Sequence, residues 1–468
     1  MWHFYRKNIQ WAVFGVIIVL TAGLSRLIPP MQSPDEMSHL GRAYLISQGK
    51  WLLEPIPLDI DLPTGNMQVS AMIAQARALG VDVGGSVDEG LLAFHDGYRA
   101  DSVKLLSEAD KLRIASIPWT GKERYFSLWG TVYYFPAIYI PQASGFFIGK
   151  HLHWTVQQSY YLVRGLTLLT CIVLLSMAYK LAPVAHLALA LLVLPMSIFQ
   201  MLSPTIDGVT TALAILVISQ FLFSLNTANR MLPIWQISIC VFILATSRTH
   251  LMPLFLLPIY IAWQRRSLKN SLVVGAFGLA AIGWALVALR SNNGLMLDPA
   301  HTSAGLLIYY AAHPLAFLEI AAATVADPVQ STFLQQSFIG ILGWLDAPLH
   351  QRFYPALWMG LVLCAWASMS FASLHEMRKA RIVLITSALA GVGLIFLALL
   401  VTFTPHPATL VQGIQGRYFL VPALLLAYGL SNHRNTLAAG PIVLLSAFSV
   451  VSLGALMMAL IDRYGFPG

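Results

Sequence analysis

Apolar and polar residues segregate into long blocks along this chain, with none of the short periods of a globular domain. A first apolar run, residues 8–29, gives way to a polar stretch, 30–125, with turn signals at Leu62-Pro63-Thr64-Gly65-Asn66 and from Gly80 to Gly85. Apolar runs then recur at 126–149, 159–180, 184–200, 206–224, 231–246, 250–263, 271–290, 354–374, 381–403, 417–430 and 437–461. At 1.5 Å rise per residue, about 20 apolar residues cross a hydrocarbon core of roughly 30 Å, so most of these blocks predict membrane-crossing helices.

Basic residues decide which blocks cross. They punctuate the chain at Lys180, Arg230, Arg265-Arg266-Lys269, Arg378-Lys379-Arg381 and Arg434, and His3, Arg6 and Lys7 precede the first run. No small-residue cleavage site follows that run, which reads as an uncleaved span with its N-terminus inside. If residues 126–149 also crossed, the Arg265-Arg266-Lys269 turn would lie outside, against the positive-inside rule. That run, aromatic and kinked at Tyr133-Tyr134-Phe135-Pro136 and Pro141, is therefore expected at the interface. The weaker run 305–325, broken at His313-Pro314, is treated alike.

The expectation is an all-α polytopic membrane protein with about eleven transmembrane helices, organised as one integral domain. Residues 8–29 form the first span, and 30–157 a large extracytoplasmic loop with juxtamembrane helices. Spans two to seven lie in 158–290, a second outer loop in 291–350, and spans eight to eleven in 351–468.

Composition agrees with this class and excludes a water-soluble globule: 57% of residues are hydrophobic, 10% are charged against roughly 25% in soluble domains, and mean hydropathy is +0.70. The net charge of +8 does not imply nucleic acid, because 13 of the 20 acidic residues fall between Asp35 and Glu123 and the basic ones mark turns. Cys171, Cys240 and Cys364 lie far apart in apolar runs and carry no metal-ligand spacing. Walker, Rossmann, HExxH and CxxC patterns are missing, so a donor used on the outer face must arrive linked to lipid.

The densest chemistry is Ser33-Pro34-Asp35-Glu36-Met37-Ser38-His39-Leu40-Gly41-Arg42, just past the first span. Charges at that depth need partners or water. Ser33 and Glu36 have capping-box spacing, Pro34 suits the first helical position, and Gly49 suits the helix end. Asp35, His39 and Arg42 then share a face at i, i+4 and i+7. Glu36 is accounted for by the cap, which leaves Asp35 as the better candidate base.

Other candidates sit at the outer ends of later spans. Arg417, in Gln415-Gly416-Arg417-Tyr418-Phe419, can bind a phosphate bidentately, with Gly416 leaving room beside it. Asp207 opens a span after Ser203 and Pro204, and Arg248 and His250 bracket a turn. Trp344 and Asp346 end the second loop, where the indole offers a stacking face.

Together, Pro34-Asp35-Glu36 with His39 and Arg42, Gly343-Trp344-Leu345-Asp346, and Gln415-Gly416-Arg417-Tyr418-Phe419 resemble an uncharacterised family of predicted bacterial membrane proteins grouped with the GT-C glycosyltransferases. The resemblance implies a GT-C-like fold in the bacterial inner membrane, a polyprenyl-phosphate-linked sugar donor and an outer-face glycan or lipid acceptor. It implies Asp35 as general base, a role that adjacent Glu36 could share, and Arg417 as the stabiliser of the leaving phosphate. His39, Arg42, Asp207, Arg248, His250, Trp344, Asp346 and Tyr418 are the further donor and substrate contacts. No cofactor is assigned, and a divalent metal is left open. Rival readings are a flippase or transporter of lipid-linked saccharide, and a glycan polymerase or ligase.

Overall fold

The computed structural model describes residues 23–55, 82–98, 106–131, 134–226, 232–291, 301–369, 377–431 and 439–465. The expected first span therefore lies outside the described residues except for 23–29, as does the turn signal at residues 62–66.

The first loop folds into a packed unit. Helix α1 (Glu36–Ser47) leads to strand β1 (Glu54–Pro55), then β2 (Asp82–Asp88), α2 (Glu89–Gly97), α3 (Glu108–Ala115), β3 (Glu123–Ser127) and α4 (Ile140–His151). The strands form an antiparallel sheet in the order β1-β2-β3, a departure from the all-helical expectation. The buried Asp88 carboxylate holds this region together, accepting from Gly90 N at 2.8 Å, Thr120 N at 3.1 Å and Gly121 N at 2.9 Å. Met37, Leu40, Tyr44, Val87, Leu91, Phe94 and Phe146 form its core, which runs on into Val163, Val209 and Ala212 of the helices behind. Among the described residues of the run 126–149, the longest helix is the 12-residue α4, about 18 Å of helix.

The remaining helices are α5 (Val156–Leu181), α6 (His186–Leu192), α7 (Pro195–Leu202), α8 (Asp207–Asn226), α9 (Ile234–Ser247), α10 (Leu256–Gln264), α11 (Leu268–Ser291), α12 (Ser303–Ala312), α13 (Pro314–Ala326) and α14 (Pro328–Ile339). A short hairpin, β4 (Ile341–Leu342) and β5 (Ala347–Pro348), precedes α15 (Phe353–Ser368), α16 (Arg378–Thr402), α17 (Leu420–Leu430) and α18 (Ala439–Tyr464).

Among the described residues, five helices are long and apolar enough to cross a membrane: α5, α8, α11, α16 and α18. The α12–α13 pair, bent by 103° at His313-Pro314, would make a sixth if it were one broken span. The expected eleven are thus not reproduced by helix length. Proline explains part of the shortfall, because it cannot donate to the helix ladder: Pro195 divides the run 184–200 into α6 and α7, and Pro253 sits in a 3-10 turn, Thr249–Phe255, ahead of the nine-residue α10. The 14-residue α9 and 16-residue α15 reach only about 21 and 24 Å. Helix α8 lies at the centre, 83% buried along its apolar window, against 17–33% for the other four.

The two ends of the bundle differ in chemistry. Arg265 donates to the Leu232 carbonyl, Lys379 lies over the Trp263 ring, and Arg381 donates to the Gly429 and Ser431 carbonyls, so these basic turns share one end. Following α10 and α17 back to their starts leads to the opposite end, where Arg248 and Arg417 stand with Asp35 and Asp207.

Candidate functional site

Asp35 owes its position to its neighbour. The residue is the N-cap of α1 and takes a left-handed backbone conformation (φ 59°), which costs a non-glycine residue free energy, though Asp tolerates it better than most. The strain is held by the side chain of Glu36, which accepts from Ser33 N at 2.8 Å, Met31 N at 3.1 Å and the Tyr160 hydroxyl at 2.7 Å. This is half of the expected capping box. No side chain caps α1, and Pro34 lies before the cap instead of inside the helix. The helix ends as anticipated, with Gly49 at φ 79° donating to Ile46 O and Lys50 N donating to Leu45 O.

With its oxygens engaged and 1% exposure, Glu36 is sequestered from any substrate, and burial raises its carboxyl above the usual range. Asp35 projects the other way, its side chain 61% exposed.

Four elements converge on Asp35. Arg417, in the 3-10 turn Gly416–Phe419 before α17, places Nη2 3.3 Å from Asp35 Oδ2 and Nη1 3.6 Å from Asp207 Oδ2. Asp207, at the N-terminus of α8, also forms a short ion pair with Arg248 Nη2. Arg248 Nη1 donates to the Tyr134 hydroxyl at 3.0 Å, and its guanidinium lies 5.0 Å from the Tyr134 ring and 5.9 Å from that of Tyr418. His39 stacks on Tyr134 with centroids 5.7 Å apart, and its Nδ1 lies 2.8 Å from the Tyr139 hydroxyl.

The cluster is electrically balanced. Burial pushes the His39 pKa down to about 4, outweighing the attraction of Asp207, so the ring is neutral at neutral pH. Tyr134 is pushed up to about 12, chiefly by burial, and Tyr139 is raised further, so both keep their protons. Two arginines thus face two carboxylates, one buried and one open.

Two recesses share Gln200, Asp207 and Arg417. Both are narrow, with room for about one water; one is lined by Ser33, Ser203, Thr205 and Gly343, the other by Thr210, Thr211, Arg248, His250 and Tyr418. Ser203 Oγ and Arg417 Nε are buried there without a hydrogen-bond partner, which leaves polar capacity for water or a ligand.

The structure thus gathers Asp35, His39, Asp207, Arg248, His250, Arg417 and Tyr418. Four sequence candidates serve elsewhere. Glu36 props the α1 turn, and Arg42, buried on α1, donates to the Trp51 carbonyl at 2.7 Å. Trp344 Nε1 donates to the Met31 carbonyl at 3.0 Å, and Asp346 pairs with Arg463 at 2.6 Å, so the β4–β5 hairpin braces the segment before Asp35. Gly416 leaves no ligand space: a Cβ there would meet Phe338 N at 2.1 Å and Leu334 O at 2.5 Å, so glycine admits α14. Tyr134 and Tyr139 were not among the expected site residues. Their signal was the aromatic run beginning at Tyr133, which interfacial anchoring explains equally well.

Among the described residues, no group of three or more His, Cys, Asp or Glu side chains is placed to hold a metal ion. Asp35 and Asp207 are neutralised by guanidinium groups, so the divalent metal left open by the sequence gains no donor set here.

These elements define a helical membrane protein with a buried, charge-balanced cluster at one end of its bundle. The chain belongs to the predicted membrane protein family DUF2142, which matches residues 18–426 and so takes in every member of the cluster. A comparison with curated proteins gave no match.

Proposed function

We propose that the protein is a GT-C-type glycosyltransferase that moves a sugar from a polyprenyl phosphate to a glycan or lipid hydroxyl at the extracytoplasmic face of a bacterial inner membrane. The observation that carries this reading is the division of Arg417 between a buried carboxylate, Asp207, and an exposed one, Asp35. Asp207 keeps Arg417 and Arg248 in place. The contact to Asp35, open to solvent, is the one that an incoming phosphate displaces, because a guanidinium fork binds phosphate bidentately.

Displacement leaves Asp35 unpaired beside the bound donor. There its carboxylate accepts the proton of the acceptor hydroxyl while that oxygen attacks the anomeric carbon. The bond from that carbon to the phosphate oxygen breaks, and negative charge gathers on the departing polyprenyl phosphate, facing Arg417 and Arg248. A single displacement of this kind inverts the anomeric configuration. The apolar helices supply the path for a donor that arrives within the bilayer, and placing the basic turns inside puts the cluster outside.

The test is incubation of purified protein with a panel of polyprenyl-phosphate sugars and membrane-lipid or glycan acceptors, followed by mass spectrometry. Transfer with release of polyprenyl phosphate is the expected result. Transbilayer movement of an unaltered lipid-linked sugar would replace the transferase reading with a flippase.

A further inference from the structure

A second cavity lies outside the Asp35 cluster, between the chain leaving the first expected span and the start of α5. It has a volume of about 450 Å³ and is lined by Arg26, Ile28, Tyr161, Arg164, Gly165 and Leu168, with Leu202 behind. Among the described residues its charged groups are both cationic, Arg26 and Arg164, and the Ser25 and Tyr161 hydroxyls line it beside them.

Arg164 is 6% exposed and built into the wall, donating through Nε to the Leu202 carbonyl at 2.7 Å and through Nη1 to the Ile28 carbonyl at 2.8 Å. These two bonds fix its guanidinium and use only part of its five N–H donors. Arg26, in the 3-10 turn Ser25–Leu27, is exposed and also lines the cleft. Ile28, Gly165 and Leu168 give an apolar floor, and a Cβ added at Gly165 would meet nothing within 4 Å. A fixed cation, a second, exposed cation, a phenol and an apolar floor match a phosphate ester attached to a hydrocarbon chain.

We propose that this cleft seats the phosphate headgroup of a bilayer lipid, with Arg164 and Arg26 on the phosphate and the chain along Gly165 and Leu168. The site is separate from the Asp35 cluster and does not depend on the transferase reading. A free phosphate ion shares the headgroup chemistry but makes no use of the apolar floor.

The experiment is native mass spectrometry of the delipidated full-length protein titrated with phosphatidylglycerol, with dioleoylglycerol as the headgroup-free control. Arg26→Gln removes the exposed cation and is expected to weaken phosphatidylglycerol binding roughly tenfold, as loss of a charge-assisted contact does. Gly165→Leu fills the floor and should abolish the bound adduct while leaving the thermal melt unchanged. Should that variant fail to fold, Arg26→Gln alone decides. Undiminished binding by Arg26→Gln, or dioleoylglycerol binding as tightly as phosphatidylglycerol, overturns the proposal. Displacement of the lipid by millimolar inorganic phosphate assigns the cleft to a soluble anion and overturns it too.

Discussion

Replacing Asp207 by Asn should destabilise the protein far more than replacing Asp35 by Asn, although both carboxylates touch Arg417. Asp207 is buried, its side chain 12% exposed, and it is the counter-charge for Arg248 and Arg417, whose side chains are 13% and 5% exposed. Removing the charge leaves two buried guanidinium groups facing each other, a situation that costs about 3–5 kcal/mol when one partner of a buried pair is lost. Asp35 is 61% exposed, so its contact with Arg417 is screened by solvent and contributes about 0–1 kcal/mol. In activity the order reverses. Asp35→Asn removes the proposed base and should lower the proposed transfer by roughly 10²–10⁴-fold. Unfolding in mixed micelles, followed by helical circular dichroism, gives the stabilities. Equal midpoints for Asp207→Asn and wild type, or a larger loss for Asp35→Asn, would refute the division of roles.

Glu36→Gln should cost about 1–3 kcal/mol in the same unfolding assay, because a single amide oxygen cannot accept from Met31 N, Ser33 N and the Tyr160 hydroxyl together, yet the folded fraction should keep its transfer rate. The His39 pKa is lowered to about 4 from an unfolded value near 6.5, so the unfolded chain binds more protons in that interval. The His39 contribution to stability should therefore be lost as pH drops from about 6.5 to 4, and a His39→Gln variant should show a shallower fall over that interval in a pH series of unfolding midpoints. Gly416→Ala, which drives a Cβ into the α14 backbone, should lower the thermal midpoint even though alanine adds no charge or polarity. Cysteine labelling in intact cells should mark Ser116→Cys, on the exposed end of α3, and spare Gln264→Cys at the basic end; the reverse pattern would invert the proposed orientation.

The charged cluster was readable from sequence because each member is out of place in its surroundings. Asp207, Arg248 and Arg417 each interrupt or border an apolar run, where an unpaired charge is costly, so a shared site explains all three. Asp35 and Arg417, 382 positions apart, meet for the same reason. What the capping-box pattern concealed was its own consequence: Glu36 does reach Ser33 N, but it also takes Met31 and Tyr160, and this network turns Asp35 outward. Strand β2 went unseen because Gly84 and Gly85 resemble a turn, whereas in the sheet they admit Phe126 O and Leu45 against the backbone. Among the described residues, helix length does not reproduce the expected count where a proline divides a hydrophobic block. Hydropathy reports burial in lipid or protein equally and does not register the break. The Met31 contact of Trp344 had no sequence signal, since nothing in a loop tryptophan announces its partner 313 positions away.

In the proposed mechanism Arg417 releases Asp35 to a donor phosphate. The most direct measurement is a cryo-electron microscopy structure of the Asp35→Asn variant, stalled with a bound polyprenyl-phosphate sugar. The expected result is phosphate density within hydrogen-bond distance of Arg417 and Arg248, the sugar's anomeric carbon facing residue 35, and Asp207 still paired with both arginines. Donor phosphate bound away from Arg417, with the arginine contacts of the ligand-free cluster unchanged, would contradict it.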